Sequence, residues 1–436
     1  MRSVRARRAA MIGSAALLLL APTAALAQAA PAEPAATVAP AATLPPELVA
    51  AIQRDLGLTP EQYLAKADAG QRLVEFAEAM RTKFPDSFAG AWLDPSGNPL
   101  IGLADGKGKD DARKAAEDEG YRVKDLPRSE RTLSDQLNKA HDWIATLPAP
   151  LAGLVGGTGV DIVNNHLVMQ VKNTAQGLGW QLPDFLKAVD VVFVPDLGSV
   201  GPQPIDAPGG AASQGGDSYA AENAAGAFRC SLGFNGTDGG GRVVNISAGH
   251  CDPNRGTAGT ANASVAFDMR GQGVFGNRFG TFARSNLEGH DFSVIRIDDN
   301  AADRFRNNLV RVPGAAPVAI TGTADPVVGA PVCKSGLTTG FTCGTINGVN
   351  LTVGVGARTL NHGFSSNICA LQGDSGGAMV TGTRALGISS ASNVGDMRLC
   401  EIAQVITTVL GDAPTLYATP INAILADNPG LSVRTF

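Results

Sequence analysis

The sequence predicts an all-β C-terminal half, a sandwich or a barrel, preceded by an α+β N-terminal half. Three observations support this prediction. The chain has 436 residues, which is too long for one ordinary core. A stretch rich in proline and glycine, residues 195–216, interrupts it. After that stretch, short β-rich runs such as "GRVVNISAGH", "DFSVIRID" and "RALGISSA" are separated by glycines.

The first residues have the pattern of an export signal. Four arginines within the first eight residues precede an apolar run over residues 9–21, and "ALA" at residues 25–27 resembles a signal-peptidase site. The apolar run is too short to span a bilayer comfortably. We therefore predict a signal peptide over residues 1–27 that is removed, and a product that is secreted and does not remain in the membrane.

The N-terminal half, residues 28–211, begins with an Ala/Pro-rich lead and then becomes helical and charged. Helical patterns cover residues 48–126 and 131–147, with strand-like pieces at residues 88–94, 166–172 and 189–195. This mixture predicts an α+β unit.

The C-terminal half, residues 212–436, ends in one late helical pattern, "PTLYATPINAILADNP". It differs in composition from the N-terminal half, because all three tryptophans lie before residue 212 and Lys334 is the only lysine after it. We predict two domains joined by a cleavable segment between about residues 206 and 216.

Six cysteines all lie in the C-terminal half: Cys230, Cys251, Cys333, Cys343, Cys369 and Cys400. An even number in an exported chain predicts disulfides, with fifteen possible pairings. Pairing of sequential neighbours gives 230–251, 333–343 and 369–400. No pair has C-x-x-C spacing, which disfavours a zinc or redox site. With a net charge of −5 and no basic run, the chain also lacks the pattern of a nucleic-acid-binding protein.

The segment "GDSGG", residues 373–377, allows two interpretations. It could be a tight surface turn, for which glycine supplies a positive φ. It could also carry a nucleophile, Ser375, whose neighbouring backbone amides stabilise an oxyanion.

The order of residues along the chain narrows the enzyme classes. An α/β-hydrolase needs a histidine after the serine, but the last histidine is His362. The subtilisin order needs an acid before His250, where Asp238 in a Gly-rich loop is a poor candidate. The chymotrypsin order of His, Asp and Ser remains. An esterase is disfavoured by the same order, except as a side activity.

His250 is the best candidate base, because "VVNISAGHC" runs a strand into a histidine beside Cys251. For His290 and His362 we favour a surface or loop position. Asp291 in "EGHDFSVIRID" precedes an apolar alternation and fits the orienting acid. Taken alone, Asp291 could equally be an acid that caps local backbone.

Together these pieces resemble a known family. "SAGHC", "HDFSVIRI", "VCKSGLTTGFTCGTI" and "CALQGDSGGAM" are similar to the bacterial chymotrypsin-like serine proteases of the α-lytic protease and streptogrisin group. "RCSLGFN" and "GTRALGISSAS" extend the likeness, and "RDLGLTPEQ" and "FAGAWLD" are similar to the pro regions of these proteases. The resemblance implies two six-stranded antiparallel Greek-key β-barrels with a C-terminal helix, preceded by an α+β pro region.

The resemblance assigns roles residue by residue. It implies that Ser375 is the nucleophile, that His250 is the general base and then the general acid, and that Asp291 orients the imidazole. The backbone amides of Gly373 and Ser375 would form the oxyanion hole. Ser390 would be a buried serine that hydrogen-bonds Asp291.

The resemblance also implies an ion pair between Asp374 and Lys334, where family members have arginine. A lysine keeps the charge but loses the bidentate fork, so we expect a less rigid pair. The substrate pocket would be lined by Ala370, Leu371, Gln372, Ala391 and Ser392. None of these is acidic, and the side chains of Ala391 and Ser392 narrow the pocket. We therefore expect a small or medium apolar residue on the acyl side of the cut.

The function implied is a secreted serine endopeptidase made as a zymogen, acting on protein or peptide substrates without metal or cofactor. The N-terminal half would assist folding and inhibit the enzyme until it is cleaved, and the product would be a monomer. Two other readings stay open. The fold could be retained as a binding module with a blocked cleft, and the N-terminal half could be an independent binding domain.

Overall fold

A computed structural model describes residues 44–172, 189–194, 211–269, 274–355, 358–393, 400 and 414–436. The predicted signal peptide and residues 206–210 of the predicted joint lie outside these ranges. The described residues from 44 onwards belong to one compact unit. No helix in these ranges is long and apolar enough to cross a membrane.

The N-terminal half is an α+β unit, as predicted. Its helices are α1 (Pro46–Leu56), α2 (Pro60–Lys83), α3 (Lys109–Asp118), α4 (Glu130–Thr146) and α5 (Ala149–Ala152). Its strands are β1 (Phe88–Leu93), β2 (Pro99–Ala104), β3 (Arg122–Leu126), β4 (Val155–Asp161), β5 (His166–Lys172) and β6 (Val189–Val194). The helical pattern over residues 48–126 misses β2 and β3, which the hydrogen bonds of a three-stranded sheet with β1 stabilise.

Local sequence explains the break between α1 and α2. Gly57 adopts φ 64° after α1, and its N–H donates to the carbonyl of Gln53. Thr59 then begins α2 with a capping box, in which its hydroxyl and the side chain of Gln62 each accept from the other residue's amide. Pro60 occupies the first helical position, where it loses no hydrogen bond. The sequence "GLTPEQ" therefore ends one helix and starts the next.

The C-terminal half consists mostly of strands, as predicted. They are β7 (Ser218–Asn223), β8 (Gly226–Ser231), β9 (Phe234–Thr237), β10 (Val243–Ser247), β11 (Val265–Met269), β12 (Phe275–Asn286), β13 (Glu288–Gly289), β14 (Phe292–Ile297), β15 (Leu309–Val310), β16 (Val318–Ala319), β17 (Gly322–Thr323), β18 (Pro331–Gly336), β19 (Gly340–Val355), β20 (Arg358–Ser366), β21 (Ala378–Thr381), β22 (Arg384–Ser392), β23 (Leu416–Pro420) and β24 (Ser432–Val433). Among the described residues, short α-helices include α6 (Ala302–Phe305) and α7 (Ile421–Asp427).

These strands form two large sheets. The first is an open path of eight strands in the order β24-β9-β10-β14-β12-β11-β7-β8. In the second, six strands pair antiparallel in the order β20-β23-β22-β21-β18-β19, and β19 pairs back with β20 to close a ring.

The second sheet continues into the N-terminal half. Strand β4 pairs with β19, with Thr158 opposite Thr352, and β5 and β6 follow. Near the other end of β19, Ile52 of α1 and Tyr63 of α2 are fully buried in one apolar cluster with Phe341. The two halves of the sequence therefore share both a sheet and a core.

Candidate active site

His250 lies in a 3₁₀ helix, Gly249–Cys251, that follows the fully buried strand β10. Gly249 is packed so closely against β12 that a Cβ on it would lie 1.8 Å from the carbonyl oxygen of Asn286. The disulfide Cys230–Cys251 ties the other end of this short helix to β8. The imidazole is thus held on a rigid support, with its side chain 21% exposed.

Asp291 lies directly before β14 and is buried, with 1% exposure. Its Oδ2 lies 2.6 Å from Nδ1 of His250, and its Oδ1 accepts the backbone N–H of the same residue at 2.9 Å. Because a carboxylate can only accept, Nδ1 carries the proton. This arrangement leaves Nε2 of His250 available as a base.

Two further hydroxyls hold Asp291. The pairing of β22 with β23 shifts register between Ser389 and Ala391, which aims the side chain of Ser390 out of the regular ladder. The Ser390 hydroxyl donates to Oδ2 of Asp291. The Thr419 hydroxyl accepts the amide of Asp291 at 3.2 Å and lies 3.2 Å from its carbonyl oxygen. Sequence reasoning missed Thr419, for which no motif gave a signal.

Ser375 lies in a turn built on two glycines with positive φ, Gly373 at 103° and Gly376 at 84°. A Cβ on Gly376 would lie 2.1 Å from the hydroxyl oxygen of Ser247. The carbonyl oxygen of Ser375 accepts the amide of Ser231 at 2.8 Å and lies 3.8 Å from Sγ of Cys251. The turn therefore packs against the residue that follows His250, and Ser375 is partly exposed.

The amides of this turn fall into two groups. Those of Asp374, Gly376 and Gly377 donate to carbonyl oxygens at 2.8–3.0 Å. Within the described ranges, the amides of Gly373 and Ser375 have no protein acceptor. These are the two donors assigned to the oxyanion hole, and their geometry leaves them available to a ligand.

The carboxylate of Asp374 stabilises the same turn by accepting hydrogen bonds from neighbouring segments. Its Oδ1 accepts the amides of Thr338 and Thr339 at 2.8 and 3.0 Å. Its Oδ2 accepts the amide of Leu371 at 3.0 Å and the hydroxyl of Thr339 at 2.7 Å. Sequence reasoning missed these contacts, although the two threonines at residues 338 and 339, just before β19, supply three of the four donors.

Lys334 completes the network, with Nζ 3.3 Å from Oδ2 of Asp374 and 2.5 Å from the hydroxyl of Thr339. Its side chain is fully buried. Burial lowers the pKa of the Lys334 ammonium, while the Asp374 charge opposes this shift. A single point contact thus replaces the bidentate contact that arginine would make.

The predicted pocket residues lie on two segments. Ala370 and Leu371 are buried, and Leu371 packs against the disulfide Cys369–Cys400. Gln372 is exposed, and Ala391 and Ser392 are partly buried at the end of β22. No formal charge comes from these five residues.

The six cysteines form the disulfides Cys230–Cys251, Cys333–Cys343 and Cys369–Cys400, which join sequential neighbours. The one cluster of metal-ligand types found in the described ranges is Cys230, His250 and Cys251. Its two sulfurs share a disulfide, so neither is a thiolate that could bind a metal.

Comparisons with known proteins point to one family. A family model described as Trypsin matches residues 217–409. Streptogrisin-C of Streptomyces griseus is 31% identical over 354 residues, which cover 80% of this chain and 69% of the relative. That alignment is longer than the C-terminal half, so it includes part of the N-terminal half.

Two shorter relatives match the C-terminal half in length. Serine protease 2 of Streptomyces fradiae is 37% identical over 172 residues, 39% of this chain and 90% of the relative. Glutamyl endopeptidase 2 of Streptomyces griseus is 36% identical over 168 residues, 38% of this chain and 81% of the relative.

Proposed function

The chain belongs to the trypsin family of serine proteases, and on that premise we propose that it is a secreted serine endopeptidase acting through Ser375, His250 and Asp291. The export-like first 27 residues and the three disulfides support secretion. The substrates are proteins or peptides.

One observation carries the proposal. The His250–Asp291 pair, 2.6 Å apart, lies beside a serine-bearing turn whose amides at Gly373 and Ser375 have no acceptor in the described part of the chain. This arrangement supports the assignment of His250 as base, Ser375 as nucleophile and the two amides as oxyanion donors.

The chemistry follows from this arrangement. The Ser375 hydroxyl attacks the peptide carbonyl while Nε2 of His250 takes its proton, and the Asp291 carboxylate stabilises the imidazolium that forms. The amides of Gly373 and Ser375 bind the oxyanion, and each such donor contributes about 10²–10³ in rate. His250 then returns the proton to the leaving amine, and water hydrolyses the acyl-enzyme.

We propose residues 28–211 as a pro region and residues 212–436 as the protease domain. The amides of Ser213, Gly215 and Gly216 already donate to backbone carbonyls of the C-terminal half at 2.6–2.9 Å. Cleavage after any of these residues would break an established contact. These bonds therefore favour a processing site before Ser213.

For the acyl side of the cut we propose a small or medium apolar residue. One relative is named a glutamyl endopeptidase, and a pocket for glutamate needs a compensating cation or donor. The five proposed pocket residues carry no charge. A matched pair of peptide anilides with valine or glutamate before the cut tests this point, and a preference for glutamate would overturn it.

The first experiment is the intact mass of the secreted protein, wild type beside Ser375→Ala. We expect wild type as a fragment that begins before Ser213 and is six hydrogens lighter than the reduced chain. We expect the alanine variant to stay at the length left by signal removal. An active-site phosphonate should add covalently to wild type only.

One result would contradict the proposed activity, and a second would contradict self-processing alone. If both proteins remain unprocessed and unlabelled, the chain is a binding module that retains the fold. If both are trimmed alike and wild type is labelled on Ser375, the enzyme is active but another protease performs the processing.

A further inference from the structure

His290, the residue before Asp291, forms an imidazole–carboxylate pair of its own. Its Nδ1 lies 2.6 Å from Oδ2 of Asp427, the last residue of α7. That is the same separation as between His250 and Asp291. The His290 side chain is 18% exposed, so the ring is largely enclosed by protein. The mechanism above gives this second pair no role.

The surroundings of the pair constrain the ring. Nε2 of His290 is buried and has no hydrogen-bond partner among the described residues, an uncommon arrangement for an imidazole. The ring of His362 lies edge-on to that of His290, with centroids 6.4 Å apart, and Nδ1 of His362 contacts Asn350 instead. Among the described residues, Asp427 is therefore the one hydrogen-bond partner that fixes the orientation of the His290 side chain.

The position of Asp427 also requires an explanation. The C-terminal end of a helix carries partial negative charge, which disfavours a carboxylate there. The pairing with the imidazole of His290 compensates for this position.

The same short segment also holds the backbone of Asp291. Thr419 lies near the end of β23, two residues before α7 begins. Its hydroxyl contacts both the amide and the carbonyl of Asp291 at 3.2 Å. Residues 419–427 thus hold two successive residues, one by its side chain and the next by its backbone. The peptide between these two residues carries the Asp291 side chain, whose carboxylate extends towards His250.

We propose that His290 is a positioning residue: paired with Asp427, it fixes the backbone from which Asp291 orients His250. This inference rests on the proposed function, in which Asp291 is the triad acid. Without the pair, the carboxylate can shift relative to Nδ1 of His250. A displacement of about 1 Å at such a group costs up to about 10²-fold in rate.

The test uses the full chain, which processes itself under the proposed function, with three variants. His290→Leu removes the donor. His290→Asn restores it, because the asparagine amide nitrogen lies as many bonds from Cβ as Nδ1 does. His362→Leu is the matched control, since it removes the neighbouring ring and leaves the Asp427 contact intact. Processing is a single turnover, so a slow variant still yields mature enzyme.

We expect His290→Leu to lower kcat by about 10- to 100-fold with KM nearly unchanged, the signature of an effect on the transition state. His290→Asn should recover most of that loss, and His362→Leu should resemble wild type. The acid limb of the kcat/KM profile should also move to lower pH in His290→Leu, because a displaced carboxylate stabilises the His250 imidazolium less.

A purely structural role would lower the melting temperature and leave kcat and the acid limb at their wild-type values, which would overturn the inference. If His290→Leu does not fold, Asp427→Ala decides, because it removes the acceptor of the pair from the exposed end of α7 and the same changes are expected. Phosphonate labelling of wild type distinguishes a failure of the proposed function from a failure of this inference. An unlabelled wild type refutes the proposed function, whereas a labelled wild type with an unchanged variant refutes this inference alone.

Discussion

At the scale of single residues, Asp374 shows how a buried charge can fix a turn whose amides we propose as oxyanion donors. Its carboxylate accepts three amides and one hydroxyl, in addition to the Lys334 contact, and is 1% exposed. These contacts fix the turn from its buried side. The amides of its two neighbours, Gly373 and Ser375, are then left without acceptors in the described ranges.

Gly373→Ala should remove most of the activity. The backbone there has φ 103°, and an added Cβ would lie 2.4 Å from Oγ1 of Thr338, so the turn must move and the oxyanion donors with it. We expect kcat to fall by at least about 10²-fold, the usual cost of losing one such donor. The measurement is burst and steady-state kinetics with a peptide ester.

The matched control is Gly241→Ala in the same half of the chain, which also lies at positive φ, 74°, but has open space around it and precedes β10, at the opposite end of that strand from His250. It isolates the cost of the backbone conformation alone, about 1 kcal/mol of stability. If Gly373→Ala and Gly241→Ala give mature enzymes of equal kcat, the Gly373 amide is not an oxyanion donor.

The same residues show how far the sequence could be interpreted. Ser375, His250 and Asp291 stand in runs whose residue types and order limit the chemistry, so each could be named. Thr419 and the amides of Thr338 and Thr339 reach their partners because strand register and loop closure bring distant segments of the chain together. Nothing in their local sequence distinguishes such residues from other threonines.

At the scale of elements, residues 414–429 show where the helical pattern was wrong. The run predicts one helix, but residues 416–420 form β23 and the helix α7 begins only at Ile421, after Pro420. Pairing with β20 and β22 determines the strand, since both lie in the closed ring. A proline that starts a helix also marks the end of what precedes it.

The segment before β7 gives a prediction on pH. Asp217 lies 3.0 Å from Nε of Arg311 and accepts the amide of Gln214. Burial nevertheless raises the pKa of Asp217 to about 6, from 3.8. The folded state then binds more protons than the unfolded state between these values, so this group makes the protein less stable as pH rises from about 4 to 6.

Asp217→Asn should abolish this part of the pH dependence, which amounts to roughly 3 kcal/mol for a shift of about two units. The measurement is denaturant unfolding at pH 4 and pH 6.5 in a Ser375→Ala background, which prevents self-digestion. An equal pH dependence in both proteins would show that the Arg311 contact offsets the burial of the carboxylate.

At the scale of the whole molecule, the boundary between the halves is a continuous piece of structure. Strand β4 adds to the edge of β19, Arg384 pairs with Asp68 at 2.8 Å, and the hydroxyl of Tyr63 donates to the carbonyl of Gly382 at 3.3 Å. Composition and the Pro/Gly-rich joint separate the two halves in the sequence. No sequence pattern predicts that they share a sheet, because that pairing joins residues almost two hundred positions apart.

This shared structure leads to a prediction about maturation. The Tyr63 side chain is fully buried, and Tyr63→Ala leaves a cavity between the halves that costs about 3–5 kcal/mol. If the N-terminal half assists folding, the variant should yield less mature enzyme. The enzyme that does form should have the kcat and KM of wild type, because residue 63 lies in the proposed pro region, which processing would remove. Tyr121→Ala is the control, since Tyr121 is only partly buried and contacts Phe76 and the carbonyl of Arg72 within its own half.

The yield is measured by phosphonate labelling of secreted protein. Equal yields from Tyr63→Ala and wild type would show that the contact of α2 with the protease half is not needed for folding.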